Sequence, residues 1–187
     1  RVVEVIEGRP FDRVLRDRVF RPASMRSATD ETGEELMPQR ALGYRLGAAA
    51  DTLAVISAPY ADLSFLAGAG SVYATAEDLL HFVRALRSGV FGDAGRRQAF
   101  DTTGGATWSQ WYGRTTGYET SVDYDPSHDL TFIFLANLQS ASTFQLRRQI
   151  RNVLLGKPLT PVRHPLPVAS RFEPVDSTTG TAPQSCS

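Results

Sequence analysis

The most informative part of the sequence is residues 108–138, which read WSQWYGRTTGYETSVDYDPSHDLTFIFLANL. Turn-forming residues interrupt this stretch twice, at Gly113–Gly117 and at Asp125–Asp129. The three runs that remain are rich in aromatic and β-branched residues, as strands are: Trp108–Tyr112, Tyr118–Tyr124 and Leu130–Leu138. We therefore predict a three-stranded antiparallel meander.

Helices on either side of the meander in the sequence are expected to cover it. The third run is nearly all apolar from Leu130 to Leu135, which predicts a strand covered on both faces. A helix is predicted before the meander, from the capping pattern Thr75-Ala-Glu-Asp78 to about Arg87. Another is predicted after it, from about Ser142 to Leu155, with these apolar residues facing inward: Phe144, Leu146, Ile150, Val153 and Leu154.

The beginning of the chain predicts two shorter helices, Val2–Glu7 and Pro10–Phe20, separated by a glycine. Residues 23–67 have no regular period apart from a short strand candidate at Leu42–Leu46, and residues 93–105 are predicted to be mostly loop. Helices that flank an antiparallel meander define an α+β fold.

Composition limits the classes of function. Residues 1–157 are expected to form one domain, and residues 158–187 a Pro/Ser/Thr-rich linker or disordered tail. The 20 basic and 20 acidic residues balance without a basic stripe, which argues against a nucleic-acid partner. No apolar run is long enough to span a bilayer. The single cysteine, Cys186, has no Cys/His cluster around it, so neither a metal site nor a cofactor is predicted.

Three segments of the chain carry a recognisable pattern in a fixed order. They are GRPFDRVLRDRVFRPASM (residues 8–25), AGSVYATAEDL (residues 69–79), and the paired strands from Gly117 to the Leu-x-Asn that ends at Asn137. Together they resemble the serine β-lactamase-related family, which includes class C β-lactamases, penicillin-binding D,D-peptidases and β-lactamase-like esterases. The resemblance covers residues 1–157 and implies a partial β-lactamase/transpeptidase-like fold.

Two motifs that the family's chemistry needs do not occur in this chain. Ser-x-x-Lys places the nucleophile beside a lysine, but Lys157 is the only lysine and Leu154 stands three residues before it. Tyr-x-Asn or Ser-x-Asn is also missing, because neither Asn137 nor Asn152 has a tyrosine or serine two residues earlier. In the family the second motif lies just upstream of the helix with which this chain begins. The resemblance therefore implies the C-terminal part of a longer hydrolase.

A third family motif, Lys-Thr-Gly or His-x-Gly, is implied on the first strand of the meander. Aligned without gaps on residues 117–118, it falls on residues 111–113, and the backbone N–H of Arg114 would complete the oxyanion hole. A gapped alignment instead puts Arg114 on the cation position, and the sequence leaves both alignments open. The implied catalytic residues are Trp111, Tyr112, Gly113 and Arg114, and the implied substrate-binding residues are Arg114 and Thr115.

The resemblance implies that the parent protein is a serine hydrolase acting through an acyl-enzyme. Its substrate would be an amide or ester: a D-amino-acid peptide, a β-lactam or a small ester. This chain, without the nucleophile, would be inert alone and would have the N-terminal part of the parent as its partner. Trp111 in place of a cation argues against a substrate carboxylate at that position. The alternatives are a non-catalytic ligand- or partner-binding module derived from the same fold, and an interaction domain whose resemblance is accidental.

Overall fold

The computed structural model describes residues 2–31, 39–49, 52–100 and 109–159. Its helices are α1 (Val2–Glu7), α2 (Phe11–Leu15), α3 (Ala76–Arg87), α4 (Gly92–Ala99) and α5 (Ala141–Leu154). Its strands are β1 (Thr29–Asp30), β2 (Tyr44–Ala49), β3 (Thr52–Ser57), β4 (Val72–Tyr73), β5 (Ser109–Thr115), β6 (Tyr118–Asp125), β7 (Leu130–Ala136) and β8 (Leu138–Gln139). A π-helical turn, Arg16–Phe20, prolongs α2, and a 3-10 turn, Ser64–Leu66, precedes β4.

Strands β5, β6 and β7 form the predicted antiparallel meander, in that order. The α+β fold class is confirmed, because helices flank this sheet in the chain. Trp108 and residues 160–187, on which parts of the strand and tail predictions fall, lie outside the described residues.

A second sheet lies beside the end of the meander. Strands β2 and β3 form an antiparallel hairpin, and β8 runs parallel to β2 with Tyr44 opposite Leu138. Because β8 follows β7 directly, the hairpin is held next to the meander. The sequence predicted only part of it, at Leu42–Leu46. Thr52–Ser57 carries the β-branched residues of a strand, but the alanines that precede it give no turn signal.

Helix α3 begins where its capping pattern predicted. The Thr75 hydroxyl accepts a hydrogen bond from the Asp78 N–H at 3.1 Å, and the Asp78 carboxylate accepts one from the Thr75 N–H at 3.1 Å. The inner face of α3 is buried at Val83 and Leu86. A core cluster joins this helix to the chain after α2: Phe20, Ala23, Met25 and Ala85.

Two predictions near the meander were wrong in detail. Residues 92–99 form helix α4, longer than the short helical turn within a loop that was expected, and an Asp93–Arg96 ion pair of 3.1 Å spans its first turn. Strand β7 is half-buried, with Leu135 41% exposed, although cover on both faces was expected. Both α3 and α5 contact β7, but they cover it only partly.

Helix α5 has about the predicted extent, but three of its five predicted inward-facing residues are exposed; Ile150 is half-buried, and the side chain of Phe144 lies outside the described part of the chain. Leu146, Val153 and Leu154 were expected to face inward, yet they are 46%, 58% and 48% exposed. Among the α5 residues whose side chains are described, the buried ones are Arg147 and Gln149. Arg147 meets the sheet, where its guanidinium lies over Tyr112 and its charge acts on Asp123. The β6 residues on that face are polar and buried: Glu119, Ser121, Asp123 and Asp125. A polar sheet face needs the polar side of the helix as its partner.

Candidate functional site

Strand β5 carries every site residue that the sequence predicted, but it does not bring all of their side chains together. Successive residues of a strand point to opposite faces of the sheet. Trp111, Gly113 and Thr115 therefore share one face, and Tyr112 and Arg114 share the other. The side chains of Trp111 and Arg114 therefore cannot line the same substrate subsite.

The Trp111 face is aromatic and partly basic. The Trp111 ring meets the Phe100 ring edge-to-face at 5.8 Å, and Phe100 meets Tyr124 at 5.2 Å. The guanidinium of Arg87 lies over the Tyr124 ring at 4.6 Å, beside a shallow cavity of about 360 Å³. The Thr115 hydroxyl on this face is buried, and no described residue hydrogen-bonds to it.

On the opposite face of β5, the positive charge of Arg114 lies next to a buried carboxylate. Arg114 Nε lies 3.4 Å from Oε1 of Glu119, whose side chain is almost completely buried. Tyr112 packs under the guanidinium of Arg147 at 5.7 Å. The positive charge of Arg114 is therefore already balanced within the chain, although half of its side chain is in solvent.

The register of the meander fixes where the backbone N–H of Arg114 points. Thr115 and Tyr118 are paired across the two-residue turn Thr116–Gly117, which makes them a hydrogen-bonded pair. Hydrogen-bonded and non-hydrogen-bonded pairs alternate along antiparallel strands, so Arg114 belongs to a non-hydrogen-bonded pair. Its N–H points away from β6, toward the edge of β5 that no described strand covers.

Two glycines hold this strand against its neighbours. A Cβ at Gly113 would lie 2.8 Å from the Thr120 hydroxyl oxygen, which can donate to the Gly113 carbonyl at 3.4 Å. A Cβ at Gly117 would lie 2.8 Å from both Gly43 Cα and Ala58 Cβ, and Gly117 has φ +86°. The turn after β5 is thus packed tightly onto the base of the β2–β3 hairpin.

Sequence reasoning missed a buried ion pair beside that turn. Glu31 is 5% exposed and accepts hydrogen bonds from Arg40 Nη1 at 3.2 Å, from the Tyr60 and Tyr73 hydroxyls, and from the Leu63 N–H. The guanidinium of Arg40 stacks on Tyr60 at 5.0 Å and on Tyr73 at 4.8 Å. No local pattern could have predicted it, because these residues come from separate irregular segments.

The charges in this cluster support one another. Burial alone would lower the pKa of Arg40, but a hydrogen bond with the Tyr118 hydroxyl and the negative charge of Glu31 raise it. The pKa of Tyr60 is raised, first by its hydrogen bond to Glu31 and then by burial. The Arg40 guanidinium therefore keeps its positive charge through the neutral pH range.

The described histidines His81 and His128 are each hydrogen-bonded within the fold. His128 Nδ1 lies 2.6 Å from the Asp125 carboxylate, within the turn between β6 and β7. His81 Nδ1 lies 3.1 Å from the Ser24 carbonyl oxygen. Among the residues described, no three His, Cys, Asp or Glu side chains lie close enough to hold a metal ion. Nor is any described helix long and apolar enough to cross a bilayer.

An antiparallel meander flanked by helices, with a glycine-bearing edge strand, defines the chain as part of a β-lactamase/transpeptidase-type fold. The family model described as Beta-lactamase matches residues 1–155, so the chain belongs to the β-lactamase family. The family resemblance read from the sequence is thereby confirmed.

Known relatives are longer than this chain. A curated relative, the putative penicillin-binding protein PbpX of Bacillus subtilis, is 24% identical over 165 residues, covering 82% of this chain and 41% of that protein. The solved penicillin-binding protein of Bacillus halodurans has a TM-score of 0.64 at 18% identity and covers 81% of this chain and 52% of its own. The D-amino acid amidase of Ochrobactrum anthropi SV3 has a TM-score of 0.64 at 17% identity, with 82% and 52% covered. The chain thus spans about half of the proteins that it matches.

Proposed function

We propose that this chain is the C-terminal part of a serine hydrolase that forms an acyl-enzyme with an amide or ester. The β-lactamase family is built around such chemistry, and the structural neighbours include a D-amino acid amidase. The nucleophile and its lysine would come from the preceding part of the parent. Residues 1–157 would supply one wall of the site, with residues 158–187 as linker.

The observation that carries this proposal is the outward-pointing N–H of Arg114 at the end of a glycine-bearing edge strand. A serine nucleophile that attacks a carbonyl carbon leaves a negative charge on the carbonyl oxygen. A backbone N–H fixed in a strand can stabilise that charge without reorganising, and one such donor is typically worth about 3–4 kcal/mol of barrier. This geometry favours the ungapped alignment, in which Arg114 follows Trp111-Tyr112-Gly113.

The cation position of the third motif is occupied by an uncharged side chain. Trp111 stands there, and Arg114 is on the opposite face, paired with Glu119. Neither provides an unpaired positive charge for a substrate carboxylate. We therefore favour a small ester or an amide over a β-lactam or a peptide with a free carboxylate at this subsite.

The exposed apolar surfaces indicate where the rest of the parent would pack. Helix α1 exposes Val2, Val5 and Ile6, each more than 70%, at helical spacing on one side. Helix α5 exposes Leu146 and Val153. Apolar stripes of this kind mark contact surfaces in a complete domain.

The test uses the full-length protein that contains this chain. Its upstream sequence should hold a Ser-x-x-Lys, and a Tyr-x-Asn shortly before Arg1. The protein should hydrolyse p-nitrophenyl acetate and gain the mass of one acetyl group at that serine, as read by intact mass spectrometry. Changing the serine to alanine should abolish both signals, and the isolated 187-residue chain should show neither.

Two results would count against the proposal. Acylation of the isolated chain would place a nucleophile within it. A full-length protein that binds small amides or esters but has no Ser-x-x-Lys and no turnover would be a binding module instead. A chromogenic cephalosporin run in parallel tests the preference for esters over β-lactams.

A further inference from the structure

A second cavity, of about 310 Å³, lies between the β2–β3 hairpin and the turn after β5. We call it the Tyr60 pocket. Its walls include Leu42, Pro59, Tyr60, Thr116 and Tyr118, and its charged residues are Glu31 and Arg40. Neither the family match nor the sequence motifs assign a role to these residues.

The Tyr60 pocket is attached to the proposed oxyanion-hole strand. Thr116 lies two residues after Arg114, and Gly117 is packed against Gly43, another residue of the pocket wall. The Tyr118 hydroxyl donates to the Ala41 carbonyl oxygen at 2.6 Å, which holds the two walls together. The cavity therefore begins two residues beyond the proposed oxyanion-hole donor, at the turn that ends its strand.

The chemistry of the Tyr60 pocket suits an uncharged, flat or bulky apolar group. Tyr60 is 71% exposed and lines the cavity together with Leu42 and Pro59, while the Arg40 guanidinium lies over one face of its ring. An apolar cavity of about 150 Å³ is enough to hold a benzene molecule. Among the described residues that line the cavity, Glu31 and Arg40 are the charged ones, and they neutralise each other at 3.2 Å.

We propose that the Tyr60 pocket receives the acyl-side group of the substrate, and that Glu31 makes it select an uncharged aromatic or apolar group by neutralising Arg40. This inference rests on the proposed hydrolase function. Without the Glu31 charge, the Arg40 guanidinium would face the cavity as an uncompensated cation. The same cavity would then favour an acyl group that carries a carboxylate.

Charge removal in the full-length protein tests the selection. The readout is the ratio of kcat/KM for p-nitrophenyl 3-phenylpropanoate to kcat/KM for the mono-p-nitrophenyl ester of glutaric acid. Wild type should prefer the phenyl ester. Glu31→Gln should shift the ratio toward the anionic ester by about tenfold, the size of one partly buried charge interaction. Adding Arg40→Gln to Glu31→Gln restores a neutral cavity and should return the ratio toward wild type.

Matched controls separate selection from damage to the fold. Asp93→Asn removes a carboxylate from the Asp93–Arg96 pair on α4, outside this cavity, and should leave the ratio unchanged. If Glu31→Gln fails to fold, the exposed Tyr60→Ala variant provides a second test. It should lower kcat/KM for the phenyl ester by about tenfold while changing that for p-nitrophenyl acetate little.

A binding measurement distinguishes failure of this inference from failure of the proposed function. Titration calorimetry of 3-phenylpropanamide and of glutaramate requires no turnover. Suppose the protein is inactive but Glu31→Gln shifts binding from the first ligand to the second. This result would support the proposed selectivity of the pocket and contradict the proposed hydrolase function. If neither Glu31→Gln nor Tyr60→Ala changes the kcat/KM ratio or the binding preference, the inference that the Tyr60 pocket selects the acyl-side group is wrong.

Discussion

Gly117→Ala tests how the candidate strand is held, because Gly117 is the point where the meander meets the β2–β3 hairpin. The residue has φ +86°, a conformation that costs an L side chain about 1–2 kcal/mol. An added Cβ would also lie 2.8 Å from Gly43 Cα and 2.8 Å from Ala58 Cβ. Both atoms lie at the base of the β2–β3 hairpin, so the steric clash is relieved only if the turn moves away from the hairpin.

The expected loss of stability is the sum of these two effects. Overpacking by one methyl group typically costs about 1–3 kcal/mol, so Gly117→Ala should cost about 2–5 kcal/mol in total. Gly89→Ala is the matched control, since Gly89 has φ +79° but no described atom within 4 Å of the place that an added Cβ would take. It should cost the conformational part alone, about 1–2 kcal/mol.

The measurement is denaturant unfolding of the full-length protein, together with hydrogen exchange of the peptide that covers residues 109–125. Gly117→Ala should speed exchange in that peptide, and Gly89→Ala should not. Adding Ala58→Gly removes one of the two close contacts, so it should recover part of the loss. Equal costs for the two glycine variants, with unchanged exchange near β5, would refute the packing of the turn on Gly43 and Ala58.

Three further changes test the electrostatics and the capping. Burial raises the pKa of Asp123 and leaves one carboxylate oxygen without a hydrogen bond among the described residues, so stability is lost as the pH rises above the unfolded value of 3.8. Asp123→Asn should remove that loss and stabilise the protein at pH 7 by about 1 kcal/mol in thermal unfolding. Burial opposes ionisation of Asp125 too, but hydrogen bonds from His128 and a backbone N–H outweigh it and lower the pKa. Asp125→Asn should therefore lower the melting temperature at pH 7, and the difference from wild type should shrink as the pH falls below the unfolded value of 3.8, with no shrinkage counting against the hydrogen bonds. Thr75→Ala should cost about 1 kcal/mol by removing the helix cap, and an unchanged midpoint in urea would contradict the cap.

The sequence predicted the fold best where the local signals were strong. The meander carries its turn residues and strand residues in order, and the α3 cap is a four-residue pattern that needs no tertiary information. The β2–β3 hairpin was half missed, because Ala48 to Ala50 give neither a turn signature nor a helical period. What places this hairpin is the parallel pairing of Tyr44 with Leu138, a contact between distant parts of the chain.

Part of the candidate site could likewise be predicted from the sequence, and part of it could not. Its position on β5 follows from the order of motifs, and the structure adds that Trp111 and Arg114 point to opposite faces. The Glu31–Arg40 pair could not be predicted, since a buried carboxylate is recognised by its four donors and not by its neighbours in sequence. Three of those donors are side chains from different segments of the chain, so only the folded arrangement makes Glu31 a pocket residue.

Helix α5 shows why a correct period can give a wrong orientation. Periodicity locates the apolar stripe of a helix, but the stripe faces the sheet only if the sheet face is itself apolar. Here the face under α5 includes Ser121 and Asp123, and Arg147 meets it while Leu146 is 46% exposed. The apolar stripe with Leu146, Val153 and Leu154 is therefore exposed. The solved penicillin-binding protein of the same fold extends well beyond the half that this chain matches, and under the proposed function the stripe would contact the preceding part of the parent.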